Sequence, residues 1–283
     1  SSTSRGLGDV YKRQALYGAW GGSQLDWLSA GEAAEFALQA LPENQWQVWA
    51  DLQKLQIDLV VQVSEGRRKK LLLADMDSTM IEQECIDELA DVAGVGDRVK
   101  AITARAMNGE LDFNGALIER VGLLKDLDVG VIDTVLADRI TLMPGAAALV
   151  STMKANGAYA ALVSGGFTAF TVAVSAQLRF DENRANTLIV KGGKLTGAVG
   201  EPILGRAAKV QALEEITNKL GISTQDVMAV GDGANDLGML KIAGTGAALH
   251  AKPAVAAECS VRINFCDLSA LLFIQGYPRA TFV

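Results

Sequence analysis

Histidine is almost absent from this sequence, because His250 is the only one among 283 residues. A Ser-His-Asp triad would have to be built on that residue, and the sequence has no nucleophile-elbow motif. We therefore interpret His250 as structural, and a serine hydrolase mechanism receives no support.

Cysteine is also scarce, and the three cysteines have no metal-ligand spacing. An odd number of cysteines in apolar or helical surroundings is typical of buried free thiols in a reducing compartment. Cys85 has no evident basic partner, so we expect a buried helix residue and not a nucleophile. The other two, which we also expect to be buried, are Cys259 and Cys266.

Long apolar runs are missing as well, since none approaches the roughly 20 residues needed to span a bilayer. The amino terminus lacks the order of basic, apolar and small residues found in a signal peptide. Basic residues number 26 against 33 acidic ones, which disfavours nucleic acid and anionic membranes as partners. We expect a soluble cytoplasmic protein, and we interpret the basic run at 65–70 as a solvated linker.

The chain divides into three predicted segments. Residues 1–14 show no hydrophobic period and no initial methionine, so we interpret them as a non-native leader. Residues 15–66 predict a small α+β module whose native start is left open. It should hold helical stretches around its tryptophans and an alternating strand over 56–63. Residues 67–283 predict the core of the protein.

In the core, helical stretches alternate with short apolar runs at 71–75, 158–164, 226–232 and 246–250. This alternation predicts an α/β fold, with a Rossmann-like parallel sheet, helices on both faces and one site at the carboxyl ends of the strands. The helical stretch at about 85–143 is far longer than one crossover requires, so it predicts an inserted helical cap. Paired glycines at 192–193 predict a β-hairpin.

Residues with chemical function collect at the ends of these strands and the start of a helix: Asp75, Asp77, Ser164, Gly165, Gly166, Lys209 and Asp232. A carboxylate can attack a phosphate monoester only when a divalent cation and fixed positive charge offset the like charges. Asp75 and Asp232 offer hard oxygen ligands suited to Mg²⁺, and Lys209 adds a positive charge. We expect Ser164 and the two glycine amides to bind phosphate oxygens as a helix amino terminus.

Each of these signals alone has a more ordinary interpretation. An isolated Asp-x-Asp is usually a surface turn, a lone Ser-Gly-Gly a loop, and a lone lysine a solvent-facing helix residue. Their ordered combination favours the catalytic interpretation.

The ordered set resembles the haloacid dehalogenase-like phosphatases, whose signature is Asp-x-Asp-x-Thr, a strand-end Ser or Thr, a Lys, and Gly-Asp-x-x-x-Asp. The matching residues are Asp75, Asp77, Thr79, Ser164, Lys209, Gly231, Asp232 and Asp236. Longer stretches between residues 68 and 266 are similar to members of that family that act on O-phosphoserine. The amino-terminal module lies outside this match.

The resemblance implies roles for these residues. Asp75 would attack phosphorus to form an aspartyl-phosphate, and Asp77 would protonate the leaving oxygen and later deprotonate water. Mg²⁺ would bind the carboxylates of Asp75 and Asp232 and the main-chain carbonyl of Asp77. The phosphate and the surroundings of the ion would be held by Thr79, Ser164, Gly165, Gly166, Lys209, Asn235 and Asp236.

For the predicted cap, the resemblance implies that Glu84 pairs with a substrate ammonium and Arg120 with its carboxylate. Met107 and Phe113 would close an apolar lid that excludes water. Alternatives stay open, because the two charged residues would also suit a helix surface and the two apolar residues ordinary packing.

The implied activity is Mg²⁺-dependent hydrolysis of O-phosphoserine to serine and phosphate, the last step of serine biosynthesis. One alternative is a phosphatase or phosphotransferase of the same family that acts on another small phosphorylated metabolite. Another is a non-catalytic binding protein, against which the complete set of core groups argues. The implied partner is a small phosphorylated amino acid, and a homodimer is left open.

Overall fold

The computed structural model describes residues 15–107 and 110–283, without the side chain of Met107. The predicted leader at 1–14 and the predicted lid contact of Met107 lie outside the described residues.

The amino-terminal part contains an antiparallel pair of strands, β1 (Ser23–Ser29) and β2 (Ala33–Ala37), and the helix α1 (Gln45–Gln53). The strand predicted over 56–63 is wrong, because residues 57–63 belong to no strand. The carboxylate of Asp58 accepts hydrogen bonds of 2.9 to 3.0 Å from three successive backbone amides, those of Asn264, Phe265 and Cys266. Hydrogen bonds from the core to this side chain, and not pairing with another strand, therefore fix the position of this segment.

The basic run at 65–70 is more than a solvated linker. Arg67 donates to both carboxylate oxygens of Glu35, at 2.5 and 2.9 Å. The guanidinium of Arg68 lies 4.4 Å from the ring centroid of Tyr277. All four basic side chains therefore contact other parts of the chain, and Arg67 joins the amino-terminal strand pair to the core.

The remaining strands form the predicted parallel sheet and hairpin. They are β3 (Leu71–Ala74), β4 (Tyr159–Phe167), β5 (Glu182–Asn186), β6 (Leu188–Lys191), β7 (Lys194–Val199), β8 (Val227–Gly231), β9 (Thr245–Leu249) and β10 (Val261–Ile263). Six of them make one sheet in the order β10-β9-β8-β3-β4-β5, and every pairing in it is parallel. The β6–β7 pair is the hairpin predicted at the paired glycines.

Strand β3 lies inside the sheet, between β8 and β4. Its four side chains are fully buried, and they enter two different apolar clusters. Leu72 and Ala74 pack into one cluster, whereas Leu71 and Leu73 pack into the other. Because alternate side chains of a strand point to opposite faces, both faces of the sheet are covered, which explains the continuous apolar sequence of the strand.

The helices follow the predicted alternation. They are α2 (Cys85–Val92), α3 (Gly96–Met107), α4 (Phe113–Gly122), α5 (Val131–Asp138), α6 (Ala146–Ala155), α7 (Thr168–Leu178), α8 (Arg206–Leu220), α9 (Leu237–Ile242), α10 (Pro253–Ala256) and α11 (Ala270–Ile274). Five of them lie between β3 and β4, and four of these, α2 to α5, fall within the stretch at about 85–143 that the sequence predicts as helical. None of the helices in the described residues has the length and apolar character required to cross a bilayer.

Candidate active site

Chemically active side chains meet at the carboxyl edge of the parallel sheet. Asp75 directly follows β3, Asp232 directly follows β8, and Ser164 lies near the end of β4. Lys209 reaches the same edge from the first turn of α8. Because neighbouring parallel strands end on the same side, residues far apart in sequence come together here.

The lysine is buried between two carboxylates. Lys209 Nζ lies 2.7 Å from Asp75 Oδ1 and 2.6 Å from Asp236 Oδ1. Burial disfavours the charged ammonium, but the attraction of Asp236 and Asp75 outweighs it and raises the pKa of Lys209. Burial, together with the charge of Asp236, raises the pKa of Asp75 although Lys209 opposes that effect.

Three carboxylates form a group that could hold a cation. Asp75, Asp232 and Asp236 each offer an oxygen, and these oxygens lie within 4.8 Å of one another. Burial, and then the charge of Asp236, raise the pKa of Asp232 to about 6, while Thr79 Oγ1 donates to Asp232 Oδ1 at 3.2 Å. Such a crowd of hard oxygen donors matches the ligands of a divalent cation. The sequence assigned Asp236 only to the surroundings of the ion.

Asp77 lies at the amino end of α2. Its Oδ1 accepts a hydrogen bond of 3.0 Å from the backbone amide of Cys85, and its Oδ2 is 3.5 Å from Ser164 Oγ. Burial raises the pKa of Asp77 although these groups favour the charged form. A Cβ atom added to Gly166 would lie 2.5 Å from Asp77 Oδ2, so glycine is required for this close approach.

Ser164, Gly165 and Gly166 do not form the predicted helix amino terminus. Strand β4 continues through them to Phe167, and α7 begins only at Thr168. The amide of Gly166 donates to Ser164 Oγ at 2.8 Å. The strand end itself therefore carries the expected phosphate-binding groups.

The two charged residues that the sequence assigns to a cap lie close to this cluster. Glu84 borders solvent, and its carboxylate accepts a 2.7 Å hydrogen bond from the hydroxyl of Ser78, whose φ is 53°. Loss of hydration, and then the nearby charge of Asp77, raise the pKa of Glu84 to about 7. Arg120 is half-buried, and its Nε donates to Ala116 O at 3.2 Å.

Burial lowers the pKa of Arg120, while Asp87, Glu84 and Asp77 act in the opposite direction. Among the described residues, Arg120 has no carboxylate within ion-pair distance. Glu84 and Arg120 thus lie near the carboxylates at the edge of the sheet, but they form no ion pair with each other.

Phe113 of α4 contacts the core through two glycines. A Cβ atom on Gly165 would lie 3.0 Å from its ring, and one on Gly205 would lie 3.1 Å from the same ring. Asn235 is also close, since its Nδ2 would be 3.8 Å from a Cβ on Gly165. The ring therefore rests on the surface that carries Ser164.

The residues expected to be structural behave mostly as predicted. Cys85 is buried, and burial raises the pKa of its thiol, so it is not an activated nucleophile. His250 Nε2 lies 2.9 Å from Cys266 O, far from the carboxylate cluster in sequence and bonded to backbone. Cys259 is buried as expected, but Cys266 is exposed, so that part of the prediction is wrong.

Asn186 belongs to the surroundings of the site but is not among the residues predicted from the sequence. It is 1% exposed, and its side chain forms hydrogen bonds to the backbone of Gly165 in β4 and of Leu204 in the loop before α8. An asparagine beside a hairpin gives no local signal of this kind, because its partners are 18 and 21 residues away.

A family model of the haloacid dehalogenase-like hydrolases matches residues 72–241, and the chain belongs to this family. Within the family, similar proteins include phosphoserine phosphatases. The one from Haemophilus influenzae is 43% identical over 202 residues, covering 71% of this chain and 64% of its own length. The one from Archaeoglobus fulgidus is 46% identical over 230 residues, covering 81% and 67%.

Solved structures of the same family are also similar to this chain. A HAD family hydrolase from Salmonella enterica serovar Typhi superimposes with a TM-score of 0.84 at 32% identity, over 94% of each chain. A phospho-aspartyl intermediate analogue of phosphoserine phosphatase gives a TM-score of 0.68 at 43% identity, over 73% of this chain and 98% of that one.

Proposed function

We propose that this protein is a Mg²⁺-dependent phosphatase that hydrolyses O-phosphoserine to serine and inorganic phosphate, the last step of serine biosynthesis. The observation that carries the proposal is the meeting of Asp75, Asp77, Ser164, Lys209 and Asp232 at one edge of the sheet. The phosphoserine phosphatases among the relatives support it, as does the solved phospho-aspartyl analogue.

In the first step, a carboxylate oxygen of Asp75 forms a bond to phosphorus as the bond from phosphorus to the serine oxygen breaks. Asp77 gives its proton to that departing oxygen, and serine leaves. The raised pKa of Asp77 favours the protonated form that this step requires. Lys209 and Ser164 donate to the phosphoryl oxygens and offset their charge.

In the second step, water attacks the phosphorus of the aspartyl-phosphate. Asp77, now ionised, accepts a proton from this water, and the bond between phosphorus and Asp75 breaks. Inorganic phosphate leaves and the carboxylate of Asp75 is regenerated. One carboxylate thus serves as nucleophile and the other as acid and then base.

The donor set fits Mg²⁺, because three carboxylates offer oxygens within 4.8 Å of one another. Asp75 and Asp232 would hold the ion together with the main-chain carbonyl of Asp77, and Asp236 and Thr79 would order them. When bound, the ion lowers the electrostatic cost of bringing a phosphate dianion to a carboxylate.

The cap residues are proposed to select the amino acid. The carboxylate of Glu84 would pair with the substrate ammonium, and the guanidinium of Arg120 would bind its carboxylate. Phe113 would shield the site from water, with Gly165, Gly166 and Asn235 contacting the phosphate side. We further propose a cap at about 85–143 on a core of 67–283, preceded by a module at 15–66.

We also propose a cytoplasmic location, without nucleic acid or membrane partners. Three free cysteines are consistent with a cytoplasmic location. The net charge of −7 makes nucleic acid and anionic membranes poor partners. The chain spans 64% and 55% of the length of two curated relatives, so we give the activity of the whole protein as a proposal.

Phosphate release from phosphoserine tests the proposal, with Mg²⁺ present or removed by EDTA. Acid quenching with radiolabelled phosphoserine should leave label on the wild-type protein, and Asp75→Asn should lose both label and turnover. Asp226→Asn is the control, since that surface carboxylate pairs with Lys70 at the opposite edge of the sheet. An active Asp75→Asn enzyme would overturn the mechanism, and absent turnover with Mg²⁺ would overturn the function.

A further inference from the structure

Strand β4 bulges where it carries the phosphate-binding groups. In its pairing with β5, Val163 lies opposite Arg184 and Phe167 lies opposite Asn186. Four steps along β4 therefore correspond to two steps along β5, and the excess falls on residues 164–166. A bulge of this kind takes backbone groups out of the regular ladder and re-aims the strand.

Asn186 bonds the backbone of this bulge. Its Nδ2 donates to Gly165 O at 2.8 Å and to Leu204 O at 3.1 Å, while its Oδ1 accepts from Leu204 N at 2.7 Å. The carboxamide uses both donors and its acceptor, and the residue is 1% exposed. The side chain thus acts like a short piece of strand between the bulge and the loop at Leu204.

The two segments that Asn186 joins both belong to the proposed site. The bulge carries Ser164, and Leu204 lies two residues before α8, whose first turn carries Lys209. The ring of Phe113 rests on a glycine from each segment, Gly165 and Gly205. The side chain of Asn186 therefore joins the segment that carries Ser164 to the segment that leads to Lys209, and both segments contact the ring of Phe113.

We propose that Asn186 is a positioning residue that fixes the separation between the phosphate-binding bulge and the start of α8, and so forms the seat on which Phe113 closes. This inference rests on the proposed function for the identity of the ligand. Aspartate in its place would set carboxylate oxygen against two carbonyls, and alanine would leave three backbone groups without partners.

Gln275 offers a matched control. It is also a fully buried amide that bonds backbone from both ends, with Nε2 donating to Leu271 O at 3.1 Å and Oε1 accepting from Lys69 N at 3.0 Å. Lys69 precedes β3, so this amide lies at the edge of the sheet opposite the site. Loss of either amide should lower stability, but only loss of Asn186 should alter ligand handling.

The experiment compares Asn186→Ala, Asn186→Asp and Gln275→Ala in the full chain, each with a thermal denaturation curve. For Asn186→Ala we expect KM for phosphoserine and the inhibition constant of inorganic phosphate to rise about tenfold or more, since a weakened hydrogen bond to a charged group typically costs about that much in affinity. Gln275→Ala should change both by less than about twofold. Asn186→Asp serves if the alanine variant does not fold.

Coupling to Phe113 gives a second readout. If Asn186 forms its seat, Phe113→Ala combined with Asn186→Ala should lose less kcat/KM than the product of the two single losses. Phe113→Ala combined with Gln275→Ala should give the simple product. If the two double variants both lose kcat/KM by the simple product of the single losses, the inference is overturned. Unchanged inhibition by phosphate in Asn186→Ala would overturn it as well.

Hydrogen exchange separates this inference from the proposed function. Peptides covering 164–168 and 203–208 should exchange faster in Asn186→Ala than in Gln275→Ala, whether or not phosphoserine is the substrate. A wild type that releases no phosphate from phosphoserine would overturn only the proposed function. Equal exchange in these peptides in the two variants would overturn the positioning role.

Discussion

Lys209 and Asp75 form an ion pair of 2.7 Å in which the side chains are only 2% and 7% exposed. Because Lys209 also pairs with the fully buried Asp236, two carboxylates share one ammonium, and the group keeps a net negative charge when both are ionised. Breaking a buried ion pair from one side leaves a charge without a partner, which typically costs about 3–5 kcal/mol. The lysine thus supports the fold, and under the proposed function it also meets the substrate phosphate.

Replacing this lysine should separate these two roles. We expect Lys209→Met to abolish phosphate release and to lower the free energy of unfolding by about 3 kcal/mol, measured by urea denaturation in EDTA at neutral pH. The double variant Lys209→Met with Asp236→Asn should recover part of the stability without activity, because one uncompensated charge is gone. Wild-type stability of Lys209→Met would contradict the buried pairing.

Removal of Asp232 should uncouple the protein from its metal. A cation at a hundred times its dissociation constant stabilises a folded protein by about 2.7 kcal/mol, so Mg²⁺ should raise the Tm of the wild type. Asp232→Asn should show little of this increase. Asp226→Asn, at the opposite edge of the sheet, should keep it.

Without metal, the same variant should be at least as stable as the wild type at neutral pH. The pKa of Asp232 is about 6 in the folded protein against 3.8 in a model compound. A raised folded pKa means that stability falls as pH rises through this window, and asparagine removes that fall. A metal-free Asp232→Asn protein that is clearly less stable would contradict the electrostatic account.

Arg120 should discriminate between substrates with and without a carboxylate. For Arg120→Met we expect kcat/KM for phosphoserine to fall about tenfold to a hundredfold, the value of a charged hydrogen bond. Phosphoethanolamine lacks the carboxylate, so its turnover should change by less than about twofold. The matched control is Arg139→Met, since that exposed arginine pairs with Glu88. Equal losses with both substrates would favour another small phosphorylated metabolite.

The central sheet and the placement of its carboxylates could be predicted because their signals are local. An apolar run at 71–74 followed by Asp75 predicts a buried strand with a carboxylate at its end. The helix expected at Ser164 failed, since whether a strand continues through two glycines depends on its pairing with β5 and not on its own residues.

Long-range contacts also explain what else was missed. The alternating pattern at 56–63 has the period of a strand, but Asp58 bonds backbone amides more than 200 residues away and no ladder forms. Asn186 is similar, because its importance follows from a bulge in a neighbouring strand. Such residues carry no period or motif, so only the folded chain identifies them.

Glu84 should impose a pH dependence on substrate binding. Its pKa is about 7 in the folded protein against 4.5 in a model compound, and pairing with an ammonium requires the ionised carboxylate. We therefore expect KM for phosphoserine to fall as pH rises through 7, and Glu84→Gln to raise KM and flatten the profile. Glu88→Gln, in the helix α2 that begins directly after Glu84, should keep the wild-type profile.

Ionisation of Glu84 should tighten substrate binding as pH rises, but it should make the free protein less stable. Since the folded pKa of Glu84 is raised, the folded state holds this proton more tightly, and stability falls as pH rises from 4.5 to about 7. Urea denaturation of Glu84→Gln in EDTA should show a smaller fall over that range than the wild type. If the two proteins instead lose stability in parallel while KM still depends on Glu84, the raised pKa arises only in the complex, and the carboxylate cluster of the free protein is not its cause.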